Sequence, residues 1–134
     1  MIGILVVTHG ELSQSLLKTA QMFVSDTEAV VSVSFTEGQG VEDLRDSVLS
    51  KLKELESCTT VLGLADIPGG SPARVMSEMV LENPQVELIT GVNLPMLVEA
   101  ILSRTFMERK ELVNHLIDSS RNSIIDLSSM LRTI

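Results

Sequence analysis

Apolar positions along this chain follow two rhythms that take turns. The first run, Ile2–Val7, holds Ile, Gly, Leu and Val with no polar member, the mark of a parallel strand buried on both faces. It stops at Thr8-His9-Gly10, and a helix is expected to start near Glu11. Over Glu11–Val24 the spacing turns helical, with Leu12, Leu16, Ala20 and Phe23 on one side and Ser13, Gln14, Lys18 and Gln21 on the other. Ala29–Phe35 alternates Val31, Val33 and Phe35 against Ser32 and Ser34, the period of a strand. Val41, Leu44, Val48, Leu52 and Leu55 then line a helix whose mixed charges, from Glu42 to Glu54, read as a solvated face.

The same alternation continues. Thr59–Ala65 is expected to be a third strand, and Asp66–Ser71 a loop leading to Pro72 at the start of a helix with Ser71 as its N-cap. Val75, Met76, Met79 and Val80 form that helix's buried side until Asn83-Pro84. Val86–Thr90 is a fourth strand, and Gly91–Pro95 opens a helix through Met96, Leu97, Ala100 and Ile101. Glu108–Ser120 reads as a further helix with Leu112, Leu116 and Ile117 inward, and Ile124–Leu131 fits either a helix or a short strand. Four strands alternating with helices predict an α/β fold, a doubly wound, mainly four-stranded parallel sheet flanked by helices. A length of 134 residues, 44% hydrophobic, suits a single domain over the whole chain.

Charge narrows the partners. The net charge of −8, with no run rich in Lys or Arg, argues against nucleic acid. Trp and Tyr are absent, so stacking on bases or sugar rings is not a major binding mode. The lone Cys58 reads as a small core residue beside a strand, and no Cys/His cluster has metal-ligand spacing, so neither a metal nor a cofactor is expected. The opening run is too short to span a bilayer and has no positive charge before it, so a soluble, cytoplasmic chain without membrane insertion is expected.

Three loops leave carboxyl ends of the expected strands, at His9, at Asp66–Ser71 and at Gly91–Leu94, and so converge on one rim of the sheet, where ligands of such folds collect. A neutral imidazole is a nucleophile when one nitrogen is held as donor and the other keeps its lone pair. Asp66 is the candidate to hold His9 in that form, although an Asp in a turn equally caps the loop's own amides. Gly69-Gly70-Ser71 offers approachable amides and a hydroxyl at a helix N-terminus, a setting for an anion, although such a triplet alone is equally a turn and a cap. There is no nucleotide P-loop, dinucleotide fingerprint, GxSxG elbow or HExxH. His115 reads as a helix-surface residue.

Ile4–Ser13 (ILVVTHGELS), Ala65–Pro72 (ADIPGGSP) and Gly91–Glu99 (GVNLPMLVE) resemble, in order and spacing, the characteristic segments of the IIA component of the mannose-family bacterial phosphotransferase system. The resemblance runs from Met1 to about Arg104. It implies that His9 is the transiently phosphorylated residue, taking its group from the phosphohistidine carrier HPr and passing it to a separate IIB protein that phosphorylates a sugar. It further implies that Asp66 hydrogen-bonds the imidazole and that Ser71 contacts the phosphoryl group. Thr8, Gly10, Gly69 and Gly70 would then surround that group, and Ile67, Pro68, Asn93 and Leu94 would face the partner. Family members are homodimers with a C-terminal strand exchanged between subunits, which would fall within Ile124–Leu131. Some carry Thr-Trp after the loop Asp, where this chain has Ile67-Pro68, which alters the rim a partner meets.

Two other readings use the same residues. One is a IIA-like phosphoryl donor for dihydroxyacetone kinase, from which GVNLPML points away. The other is a histidine phosphatase, whose Arg-His-Gly motif would need an Arg where Thr8 stands.

Overall fold

The computed structural model describes all residues, 1–134. The chain runs β1 (Ile2–His9), α1 (Leu12–Ala20), β2 (Val30–Phe35), α2 (Val41–Glu54), β3 (Thr60–Ala65), α3 (Ser71–Glu82), β4 (Val86–Thr90), α4 (Leu94–Ser103), α5 (Arg109–Asn122) and α6 (Leu127–Arg132). The strands form one sheet in the order β2-β1-β3-β4, with every pairing parallel. The chain therefore winds outward from β1 first to one side and then to the other, as the alternation of runs predicts.

Successive side chains of a strand point to opposite faces, so an unbroken apolar run feeds two cores at once. Ile2, Ile4 and Val6 pack with Leu62, Leu64, Leu97, Ala100, Leu112 and Leu116 on the face covered by α1, α4 and α5. Leu5 and Val7 pack with Val33, Leu44, Val48, Val75 and Met76 on the face covered by α2 and α3. Each such side chain contributes roughly 1.5–3 kcal/mol by leaving water. β1 is thus an inner strand with both faces buried, which fixes where its last residue leaves the sheet.

Several boundaries and faces depart from expectation. Helix α1 ends at Ala20, and Leu12 and Phe23 are exposed while Ser13 is fully buried. The hydroxyl of Ser13 donates to the Val33 carbonyl (3.0 Å) and pairs with Ser34 (3.1 Å), so the polar side of β2 is covered by a polar contact. Ser71 is not the N-cap of α3: Gly70 holds that place in extended backbone, with Ser71 and Pro72 opening the helix. The charged face of α2 is also more than solvated, because Arg45 bonds Glu78 of α3 (2.8 and 2.9 Å) and Glu42 of its own helix.

His115 is part-buried rather than simply superficial. Its Nε2 lies 2.8 Å from Glu99, which also accepts from the Ser103 hydroxyl (2.8 Å), joining α5 to α4. Cys58 is half-buried just before β3, packed against the second core as expected. Within Ile124–Leu131 the ambiguity resolves to a helix, since Leu127–Arg132 is α6 and the single chain adds no fifth strand there. Asp126 caps it, and bonds from Ser129 and Ser128 hold its carboxyl down to about 2.

Candidate functional site

Strand register brings the expected pair together. Val7 lies opposite Ala65 in the β1–β3 ladder, so the next residues of both strands, Thr8-His9 and Asp66, leave the sheet side by side. This is the point where the strand order reverses direction around β1, the crevice in which open α/β sheets place their ligands. Gly10, at φ +59°, takes the left-handed turn that follows, and its N–H donates to the Phe35 carbonyl (2.8 Å).

His9 is tied to Asp66 twice. Its backbone N–H donates to Asp66 Oδ2 at 2.9 Å, and its ring Nδ1 lies 2.8 Å from the same oxygen. The other oxygen, Oδ1, accepts from the Ile67 N–H (3.0 Å). Burial pushes the Asp66 carboxyl up, but the bonds from His9 and Ile67 outweigh it and hold the group below its ordinary value. An ionised carboxylate accepts only, so in the neutral ring the proton between the two groups sits on Nδ1 and the lone pair is on Nε2. The His9 side chain is 44% exposed and that of Asp66 13%, so the imidazole faces outward and the carboxylate lies behind it.

The anion setting lies beside the ring. The first N–H groups of a helix have no intrahelical partner, and Pro72 brings none. Arg74 makes the first helical bond of α3, to the Gly70 carbonyl at 3.0 Å, which leaves the amides of Ser71 and Ala73 ahead of it at the positive end of the helix dipole. Ser71 is half-buried in that first turn, and Gly69 is exposed in the loop before it. Gly70 lies beside the imidazole, where a side chain would run into it.

The remaining expected residues divide. Thr8 is fully buried and its hydroxyl accepts from the Ser13 N–H (2.8 Å), so it serves the start of α1 and its side chain does not reach the rim. Asn93 caps α4 by accepting from the Met96 N–H (2.9 Å), and Leu94 is half-buried against the first core. Ile67, 51% exposed, and Pro68 stand out from the rim. Sequence reading overlooked Phe35, whose ring meets that of His9 edge-on, centroids 6.1 Å apart at 63°. The available signal was that Phe35 ends a neighbouring strand, opposite His9.

Comparison with known proteins agrees with this fold. A family model described as PTS system fructose IIA component (EIIA-man) matches residues 3–117. The mannose-specific EIIAB component of Escherichia coli (strain K12) is 39% identical over 103 residues, 77% of this chain. The chain spans only 32% of that relative's length. The fructose-specific EIIA component of Bacillus subtilis (strain 168) is 28% identical over 134 residues, covering 100% of this chain and 92% of the relative. The crystal structure of phosphotransferase system component EIIA from Streptococcus agalactiae superposes with a TM-score of 0.87 at 32% identity, covering 96% of this chain and 99% of that one. No helix here is long and apolar enough to cross a membrane. With a parallel four-stranded fold and these relatives, the chain belongs to the mannose-family IIA components of the sugar phosphotransferase system.

Proposed function

We propose that His9 is a temporary covalent carrier, accepting a phosphoryl group on Nε2 from phosphorylated HPr and handing it to a IIB component that phosphorylates the incoming sugar. The observation that carries this reading is the pair of bonds from His9 to one oxygen of Asp66, which in the neutral ring puts the proton on Nδ1 and the lone pair on Nε2 at an open rim. In the transfer the Nε2 lone pair attacks phosphorus in line while the P–N bond to the donor's imidazole breaks, and Nδ1 keeps its proton throughout. No separate acid or base is needed. Such a step demands positioning and charge neutralisation more than covalent chemistry from the protein. The amides at the start of α3 and the Ser71 hydroxyl supply the neutralisation, and Asp66 stabilises the charge that develops on the ring. The acidic chain, at −8, steers a basic donor surface toward it. The setting is the cytoplasm, where a phosphoryl relay meets its partners.

Incubation with HPr and its phosphate source, followed by intact-mass analysis, is expected to show one added phosphoryl group in wild type and none in His9→Ala. An unchanged wild-type mass overturns the reading.

Homodimerisation belongs to the same proposal. A groove of about 410 Å³ between α3 and α5 is lined by Leu81, Leu88, Lys110 and Val113 beside the sheet's last strand, β4. The C-terminal segment exposes Ile124, Ile125, Leu127, Met130 and Leu131, apolar side chains that a second copy would cover. Light scattering on the purified chain is expected to give twice the monomer mass, and a monomer at working concentration counts against it.

A further inference from the structure

We propose that Gly70 is a positioning residue for His9, kept without a side chain because the imidazole occupies the space a Cβ would need. A Cβ built on Gly70 would lie 2.4 Å from His9 Cε1 and 3.0 Å from Nε2, about 1 Å inside ordinary contact at the nearer atom. The ring cannot simply swing aside. Its Nδ1 is held by Asp66 at 2.8 Å, and its edge meets Phe35.

Backbone conformation does not explain this glycine. Gly70 is at φ −94° and ψ 173°, extended geometry open to any residue. Gly40 supplies the comparison: it is the N-cap of α2 at φ −93° and ψ 170°, almost the same backbone, and a Cβ there would meet nothing closer than Asp43 Oδ2 at 3.9 Å. The two positions differ in what stands before them, open space at one and the imidazole at the other. Gly70 thereby lets the nucleophilic nitrogen lie against the first turn of α3, where an incoming phosphoryl group meets the free amides. Any side chain at Gly70 moves the ring away from Asp66, away from that helix end, or both.

The test compares Gly70→Ala with Gly40→Ala. In Gly70→Ala the imidazole ¹⁵N shifts of His9 are expected to leave the Nδ1–H pattern that Asp66 imposes, and phosphoryl acceptance from HPr to slow at least tenfold. Gly40→Ala is expected to change neither. The rate measurement rests on the carrier reading above, whereas the ring spectrum does not, so a wild type that takes no phosphoryl group refutes that reading and leaves this one decidable. Stability gives a third measure. Overpacking is expected to lower the Tm of Gly70→Ala by roughly 3–10 °C relative to wild type, and the same change in a His9→Ala background to cost much less, because the severe clash is gone and only the exposed Ile67 side chain, 3.3 Å away, must give. If Gly70→Ala does not fold, a folded His9→Ala/Gly70→Ala protein supports the proposal, and an unfolded one overturns it. Unchanged His9 ring shifts in a folded Gly70→Ala protein overturn it as well.

Discussion

One oxygen of Asp66 receives both the backbone N–H and the ring Nδ1 of His9, at 2.9 and 2.8 Å. The first bond ties the carboxylate to the end of a strand buried on both faces, and the second ties the ring to the carboxylate. Ring orientation thus inherits the rigidity of β1 even though the side chain is 44% exposed. The proposed carrier role requires that combination, since such a histidine would meet two partners in turn without losing its tautomer.

Replacing the carboxylate by its amide tests the arrangement. Asp66→Asn keeps the shape but removes the charge, and its amide group can turn NH₂ toward Nδ1 and force the proton onto Nε2. Phosphoryl acceptance from HPr is expected to slow by roughly 10- to 100-fold, the scale for loss of an orienting partner. Circular dichroism should be unchanged. A rate within twofold of wild type would remove Asp66 from the mechanism.

Acid should loosen the same contact. The Asp66 carboxyl is held below its ordinary value in the folded chain, so it contributes stability above the pH at which the unfolded carboxyl titrates. That contribution is lost as pH falls through the lower, folded value. The Tm difference between wild type and Asp66→Asn is therefore expected to be steady near neutrality and to shrink below about pH 4. A gap that persists unchanged to strongly acid pH would show that the carboxylate's ionisation is not what stabilises the loop.

Much of this fold was legible because its signals are one-dimensional. The unbroken run Ile2–Val7 announces a strand with two buried faces, and register then follows from sheet geometry, which is why His9 and Asp66, 57 residues apart, could be paired beforehand. What stayed hidden depends on neighbours. Ser13 was read as outward because it is polar, yet it is buried, its hydroxyl satisfied by Val33 and Ser34 across a helix–strand contact that no local pattern encodes. The family resemblance places Thr8 around the phosphoryl group, but alternation sends its side chain inward, and the hydroxyl finds the Ser13 amide there. Gly70 reads in sequence as part of a turn with approachable amides, and only the folded position of the imidazole puts a His9 atom where its Cβ would stand.

Thr8 offers a way to separate support from chemistry. Thr8→Val keeps the β-branched shape while deleting the oxygen that accepts from the Ser13 N–H. Loss of that contact at the start of α1 is expected to cost about 1 kcal/mol in urea unfolding, with phosphoryl acceptance close to wild type. A large loss of rate at unchanged stability would instead return Thr8 to the phosphoryl site.

Far from the rim, Arg104 fastens the other end of the same strand. It is only 4% exposed, and its guanidinium donates to the carbonyls of Ile2 (3.1 Å), Glu28 (2.7 Å) and Asp26 (3.4 Å), joining the end of α4 to the start of β1 and the connection before β2. Arg104→Met fills similar volume but leaves those carbonyls without a donor, an expected cost of about 2–4 kcal/mol. Lysine recovers only part of it, because a single ammonium cannot span the fork. Ile2 and His9 stand at opposite ends of β1, roughly 23 Å apart at the rise of an extended strand. The two regions are therefore expected to act independently: Arg104→Met lowers the urea midpoint, while the folded fraction accepts phosphoryl groups within about twofold of wild type. An unaltered midpoint would mean the buried carbonyls find other donors, and a loss of acceptance in fully folded protein would mean that the position of His9 depends on both ends of its strand.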